Sequence, residues 1–215
     1  MAKTWTLENA SEERLNALIH GIGFLLSIPA MLFLANLSLD RDPGLLVACI
    51  VYGCSLSAMY LFSMLSHAVK NPDMRHRMRA FDQGVIYTLI AGTFTPFIWA
   101  NMEGWGRGTL LAAVWIAALA GFLSKVFSKH RIDDMNPLWC ILLGWGPAMV
   151  LFSFVSTLCF ATMLLGGVLY TLGVVFLQND HKEWYFHPVW HVMVILASAT
   201  HYAGIAAFAV LGWDR

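Results

Sequence analysis

Charge is what this chain has least of. Only 12% of its 215 residues are Asp, Glu, Lys or Arg, about half the share of an ordinary soluble domain. Thirteen basic and thirteen acidic residues cancel, so there is no basic surface to attract nucleic acid, and none is expected as a partner. Paired cysteines are also missing. Cys49, Cys54, Cys140 and Cys159 stand singly inside apolar stretches, so they read as small buried hydrophobes rather than disulfides or metal ligands. Repeats, low-complexity tracts and linkers are absent as well, so residues 1–215 read as one domain.

What fills the sequence is apolar. Hydrophobic residues make up 59% of it, and stretches of membrane-spanning length recur from end to end. The fold class is therefore all-α: a polytopic membrane protein, a seven-transmembrane helix bundle. The spans read as Asn16 to Leu37, Gly44 to Ser66, Gly84 to Ala100, Thr109 to Phe127, Pro137 to Phe154, Leu158 to Leu177 and Pro188 to Leu211. The first follows Glu12, Glu13 and Arg14 rather than a basic leader and is long for a signal segment, so it is expected to be retained. A basic loop with Lys70, Arg75, Arg77 and Arg79 separates spans two and three, and a polar loop from Lys129 to Asn136 follows span four. Spans five and six are parted only by Ser153 to Thr157.

Seven spans put the two termini on opposite sides. One side carries Lys3, Arg14, Lys70, Arg75, Arg77, Arg79, Lys125, Lys129, Arg131 and Lys182; the other carries Arg41, Arg107 and Arg215. Ten against three places the amino terminus in the cytoplasm of a cell whose inner membrane holds the bundle.

Polar residues in or at the ends of spans are functional candidates by default. His187 and His191 are four apart, on one face of the last helix, and two imidazoles so placed can share a metal. Pro188 suits a first helical turn. His201 lies ten residues further on, roughly 15 Å along the axis, too far to share an ion with His191. Ser63 and His67 share a face at the end of span two; the plain alternative for Ser63 is a bond to its own backbone. Asp82 precedes span three, either as a helix cap or as a site carboxylate. Glu13, Asn16 and His20 read as a polar network holding the first helix. Topology adds a constraint: His67, Asp82, His187 and His191 all fall at the cytoplasmic end. Three neutral imidazoles with one open position are the ligand set of a catalytic Zn2+, and a nearby carboxylate could orient or deprotonate water there.

These residues resemble the hemolysin III family, the bacterial branch of the progestin and adipoQ receptor superfamily. The matching pieces are Glu13-Arg14-Leu15-Asn16 with His20 and Gly23, Ser63 through His67, Phe81-Asp82 with Ile86 through Phe97, and His187 through His191 with His201. They spread over nearly the whole chain. The resemblance implies a cytoplasmic amino terminus and a zinc near the inner face held by His67, His187 and His191. It implies that Asp82 contacts water at the metal and that Ser63 stands beside it. It also implies metal-dependent hydrolysis of lipid amides, a ceramidase-like activity. Ser66 stands where the family often has tyrosine and Gln83 where it often has histidine, which changes the pocket lining but not the ligands. No segment long enough to receive a protein hormone is evident, so membrane lipids are the expected partners.

Three function classes follow: a membrane metallohydrolase acting on a lipid amide or ester, a cytolytic or channel-like protein, and a sensor of membrane state with a structural zinc. No span carries the repeated charged face of a wide aqueous pore. A retinal pump is not expected, because the last span has no lysine for a Schiff base.

Overall fold

A computed structural model describes residues 10–127 and 137–213. The loop from Lys129 to Asn136, and Lys3 and Arg215 of the charge count, lie outside them. Seven helices follow in order: α1 Ala10–Ser38, α2 Pro43–Ala68, α3 Pro72–Asn101, α4 Gly104–Phe127, α5 Leu138–Leu151, α6 Thr157–Gln178 and α7 Phe186–Gly204. A π-helical turn, Ile205–Val210, continues α7. There is no strand among the described residues. By length and composition α1, α2, α4, α6 and the α7 helix with its continuation can each cross a membrane. Together with the short apolar α5 and the long α3 they form an all-α, multi-pass membrane protein.

Helix starts follow local chemistry. The Asp42 carboxylate accepts the Leu45 N–H at 3.0 Å and Pro43 opens α2, a cap followed by a residue with no N–H to satisfy. Asn71 accepts the Met74 N–H at 3.0 Å and Pro72 opens α3 in the same way. This corrects the basic loop expected from Lys70 to Arg79. From Pro72 onward that segment is the first third of α3, because cap, proline and helix-forming arginines outweigh the lack of apolar periodicity. Asp82 is consequently ten residues inside a helix, not at its cap. The narrow break between spans five and six is real: α5 stops at Leu151, and Ser156 caps α6 by accepting the Cys159 N–H at 3.2 Å.

Packing brings the first helix onto the last. α1 lies against both α2 and α7, α2 against α3, and α6 against α7. In lipid such contacts depend on close fit and small residues rather than on water exclusion. Gly23 is one such point: a Cβ there would stand 2.9 Å from the Tyr60 ring. Pro96 lies within α3, where it removes the hydrogen bond to the Gly92 carbonyl. A Cβ on Gly92 would meet Ser55 Oγ at 2.7 Å, so α2 and α3 touch nearly backbone to backbone. The up-and-down order leaves the starts of α1, α3 and α7 and the end of α2 together at one end of the bundle.

Candidate metal centre

Each of those four helix ends delivers a polar side chain. His67 comes from the last turn of α2, and His187 and His191 from the first turns of α7. His67 Nε2 lies 3.1 Å from His191 Nε2 and 3.3 Å from His187 Nε2. One ring nitrogen from each histidine falls within 4.8 Å of the others. Nitrogens bound at about 2.0–2.1 Å to one tetrahedral ion stand roughly 3.3 Å apart, so this spacing suits a shared metal.

The outward ring atoms make the same point chemically. His67 Nδ1 is 2.7 Å from Glu13 Oε2, and His187 Nδ1 is 3.0 Å from Asp180 Oδ2. A carboxylate only accepts, so both Nδ1 atoms carry hydrogen. In the neutral rings both Nε2 atoms are then bare lone pairs, pointing at each other across 3.3 Å. A cation between them would remove that repulsion, and the two carboxylates orient the rings as outer partners of metal ligands do. His191 completes the set. It is almost fully buried, at 1% exposure, and its Nδ1 lies 3.2 Å from His20 Nε2.

Glu13 is the hub. It is 3% exposed, and besides His67 it pairs with the buried Arg75 and lies 3.7 Å from Arg79. Burying a carboxylate in a bundle is costly unless it is neutralised and hydrogen-bonded; here the Arg75 guanidinium pairs with its charge and the His67 imidazole hydrogen-bonds it. The sequence places Glu13 in an amino-terminal network, whereas its contacts run to His67 of the histidine cluster and to Arg75 and Arg79. Asp180 carries no signal in the sequence beyond its position at the same end of the bundle.

Asp82 and Ser63 stand beside the histidines. Ser66 Oγ is 3.1 Å from Asp82 Oδ2 and 2.9 Å from the Ser63 carbonyl, and Ser63 lines the apolar cavity together with Asp82. The serine at position 66 thus supplies a short donor to Asp82. Two cavities meet here. A polar one holds His67, His187, His191, Asp82 and Arg79. An apolar one runs from Ser63 and Asp82 past Phe94 and Phe97 to His201. Asp82, Ile86 and Trp190 line both. His201 is apart from the other histidines, with Nε2 3.1 Å from the Met163 carbonyl.

The profile of the family described as haemolysin-III related matches residues 8–202. The chain belongs to the haemolysin III family. It is 36% identical to Hemolysin-3 of Bacillus cereus over 192 residues, 87% of either chain. It is 34% identical to the Hemolysin-3 homolog of Bacillus subtilis (strain 168) over 206 residues, 93% of this chain and 95% of that one. A human protein, the monocyte to macrophage differentiation factor, is 29% identical over 162 residues, 72% of this chain and 67% of the human one. The match takes in α1 through most of α7, so this haemolysin III protein has its whole histidine cluster, with Glu13 and Asp180, inside the family region.

Proposed function

We propose that this membrane protein is a zinc-dependent hydrolase of a lipid amide or ester. The observation that carries the reading is the junction at Asp82, a carboxylate shared by an apolar and a polar cavity, the polar one lined by three convergent imidazoles. An acyl chain fits the first, water the second, and the carbonyl between them meets the charged groups. His67, His187 and His191 would hold the ion. Zinc held there would polarise a carbonyl and make water acidic enough to lose a proton near neutral pH. Asp82 accepts the proton of the attacking water and returns it to the departing amine or alcohol as the carbonyl–nitrogen or carbonyl–oxygen bond breaks. Ser66 holds the Asp82 carboxylate in line for that transfer, and Ser63 lines the apolar cavity beside it. The excess of basic residues at this end supports a site at the cytoplasmic leaflet.

Two observations favour this over the alternatives. Structural zinc sites are usually closed by four protein ligands, and three histidines leave one position open to substrate. The name of the Bacillus relatives speaks of haemolysis, but the long cavity here is walled by residues such as Leu89, Phe94 and Phe97, a lining for acyl chains rather than ions. The deciding variant is Asp82→Asn, which keeps the shape and removes the charge. Metal analysis of purified protein should give equal zinc in wild type and variant. Release of fatty acid from ceramides and other acyl lipids should fall by at least about a hundredfold, the lower end of the range for a general base. Unchanged release, or no release by zinc-replete wild type across that lipid panel, would leave the metal structural.

A further inference from the structure

Three arginines stand near the start of α3, and the fold gives each a different setting. Arg75 is buried against the Glu13 carboxylate, Arg77 is exposed, and Arg79 lines the polar cavity with Asp82. Among the described residues, the one ion pair of Arg79 is with Glu13 Oε1 at 3.7 Å, longer than a hydrogen bond. That same oxygen pairs with Arg75, and Oε2 lies 2.7 Å from His67 Nδ1. One carboxylate thus faces two guanidinium groups, and Arg75 holds the shorter contact. Arg79 keeps its charge and a planar fork of N–H donors that Glu13 does not fill. The other acids of the cavity are Glu12, Asp82 and Asp180; Asp82 is engaged by Ser66 and Asp180 by His187.

The order of residues along α3 is the second observation. Arg79 lines the polar cavity alone, Asp82 and Ile86 line both, and Leu89, Phe94 and Phe97 line the apolar cavity alone. Intervals of three and four residues keep such positions on one helix face. A molecule lying along that face meets a cation, then the Asp82 junction, then an apolar wall. Arg79 is three residues from Asp82, about 4.5 Å along the axis. An acyl lipid with its carbonyl at Asp82 and its chain in the apolar cavity therefore presents its headgroup to Arg79. A neutral headgroup leaves the fork unused in a half-buried site, whereas an anionic one fills it with paired, charge-assisted hydrogen bonds.

We propose that Arg79 is a specificity-determining residue that selects acyl lipids whose leaving group carries an anion close to the scissile bond. The proposal rests on the hydrolase reading and narrows its substrate class. The anion is a carboxylate, as in a fatty acid joined to an amino acid through an amide, or a phosphate, as in an acyl glycerol phosphate. Both offer the paired oxygens that a guanidinium binds two at a time. Water still cleaves the carbonyl–nitrogen or carbonyl–oxygen bond, and the anion leaves unchanged on the departing amine or alcohol.

The test uses zinc-loaded, full-length protein in mixed micelles and two matched pairs of lipids with the same chain. N-oleoylglycine against N-oleoylethanolamide isolates a carboxylate; oleoyl glycerol phosphate against oleoyl glycerol isolates a phosphate. The readout is the ratio of kcat/KM, anionic over neutral, within one protein preparation, so partial loss of folded protein cancels. In at least one pair the wild-type ratio should favour the anionic lipid, and Arg79→Gln should lower it at least about tenfold, the loss expected for a hydrogen bond to a charged group. Arg79→Lys keeps the charge without the fork and should fall between. Arg77→Gln, on the same helix but exposed, should keep the wild-type ratio, which separates recognition in the cavity from general attraction to a basic surface. The pair that responds names the anion. A wild-type ratio near one in both pairs, a ratio unchanged by Arg79→Gln, or equal losses in the Arg77 and Arg79 variants would overturn the proposal and leave hydrolysis standing. Uncleavable analogues, an ether for the ester and a sulfonamide for the amide, read binding through the rise in melting temperature. Tighter binding of the anionic analogue, lost in Arg79→Gln, with no turnover of any of the lipids would retain the anion site and overturn the hydrolase reading.

Discussion

Each end of the bundle pairs a carboxylate with an aromatic N–H, and the two pairs do different jobs. At one end Glu13 meets His67 Nδ1, both side chains nearly sealed from solvent. At the other, the Trp99 indole N–H bonds the Asp42 carboxylate in an exposed turn, with the Arg107 guanidinium 4.6 Å above the Trp99 ring. The exposed pair is a fastener: it caps α2, ties it to α3 and α4, and water could replace most of what it supplies. The buried pair has no such substitute. A carboxylate, a guanidinium and an imidazole placed together in a bundle interior cost more to desolvate than they return unless something further uses them. The use proposed here is the orientation of a metal ligand.

The largest effect should come from the histidines themselves, and it separates the cluster from the cavity. His191→Ala removes one of three ligands and should lower metal affinity by more than about a hundredfold, beyond the range for an outer partner. His201→Ala, on the same helix but bonded to the Met163 carbonyl, should leave metal content unchanged in the same assay. Equal loss in both variants would mean that the helix, not the ligand set, had been damaged.

Next in size is the hub. Glu13→Gln leaves Arg75 buried without its counter-charge, a change of about 3–5 kcal/mol in comparable cases, and it takes the carboxylate from His67. Thermal stability and metal affinity should both fall, the latter about 10- to 100-fold. Adding Arg75→Met should restore much of the stability and none of the affinity. Recovery of both together would make Glu13 a purely structural anchor and erase the contrast between the two ends.

That contrast was only partly legible in the sequence. Apolar stretches of spanning length gave seven helices with ends correct to within a few residues at most termini, because lipid demands long unbroken apolar helices. The start of α3 was hidden: Arg75, Arg77 and Arg79 carry no apolar period, and only Asn71-Pro72 signals a helix there. The same-depth argument brought His67, Asp82, His187 and His191 into one region, as their side chains are found. It could have brought in Glu13 and Asp180 too, since both stand at the same end. What it could not assign was the partner of each. Glu13 is 54 residues from His67 and His20 is 171 from His191, and no spacing rule connects side chains on helices that meet only through tertiary packing.

The smallest effect belongs to the exposed end, and its sign can be worked out. The Asp42 carboxyl is held below its ordinary range first by the Trp99 indole N–H, with help from the Leu45 and Gly44 backbone N–H groups and the nearby Arg107, against a smaller opposing effect of burial. A carboxylate whose pKa is lower in the folded than in the unfolded protein adds stability that is fully present above the unfolded value, about 3.9. That stability fades as pH falls through the lower, folded value. Asn at position 42 would still cap α2 and still face the indole, but without charge and without a titration. Melting temperatures of wild type and Asp42→Asn should therefore differ slightly at pH 7 and converge as pH drops below about 4. Zinc affinity should be the same in both throughout. A gap that widened on acidification would mean the Asp42 carboxyl is destabilised rather than favoured in the fold, and a change in zinc affinity would mean that the two ends are coupled through α2.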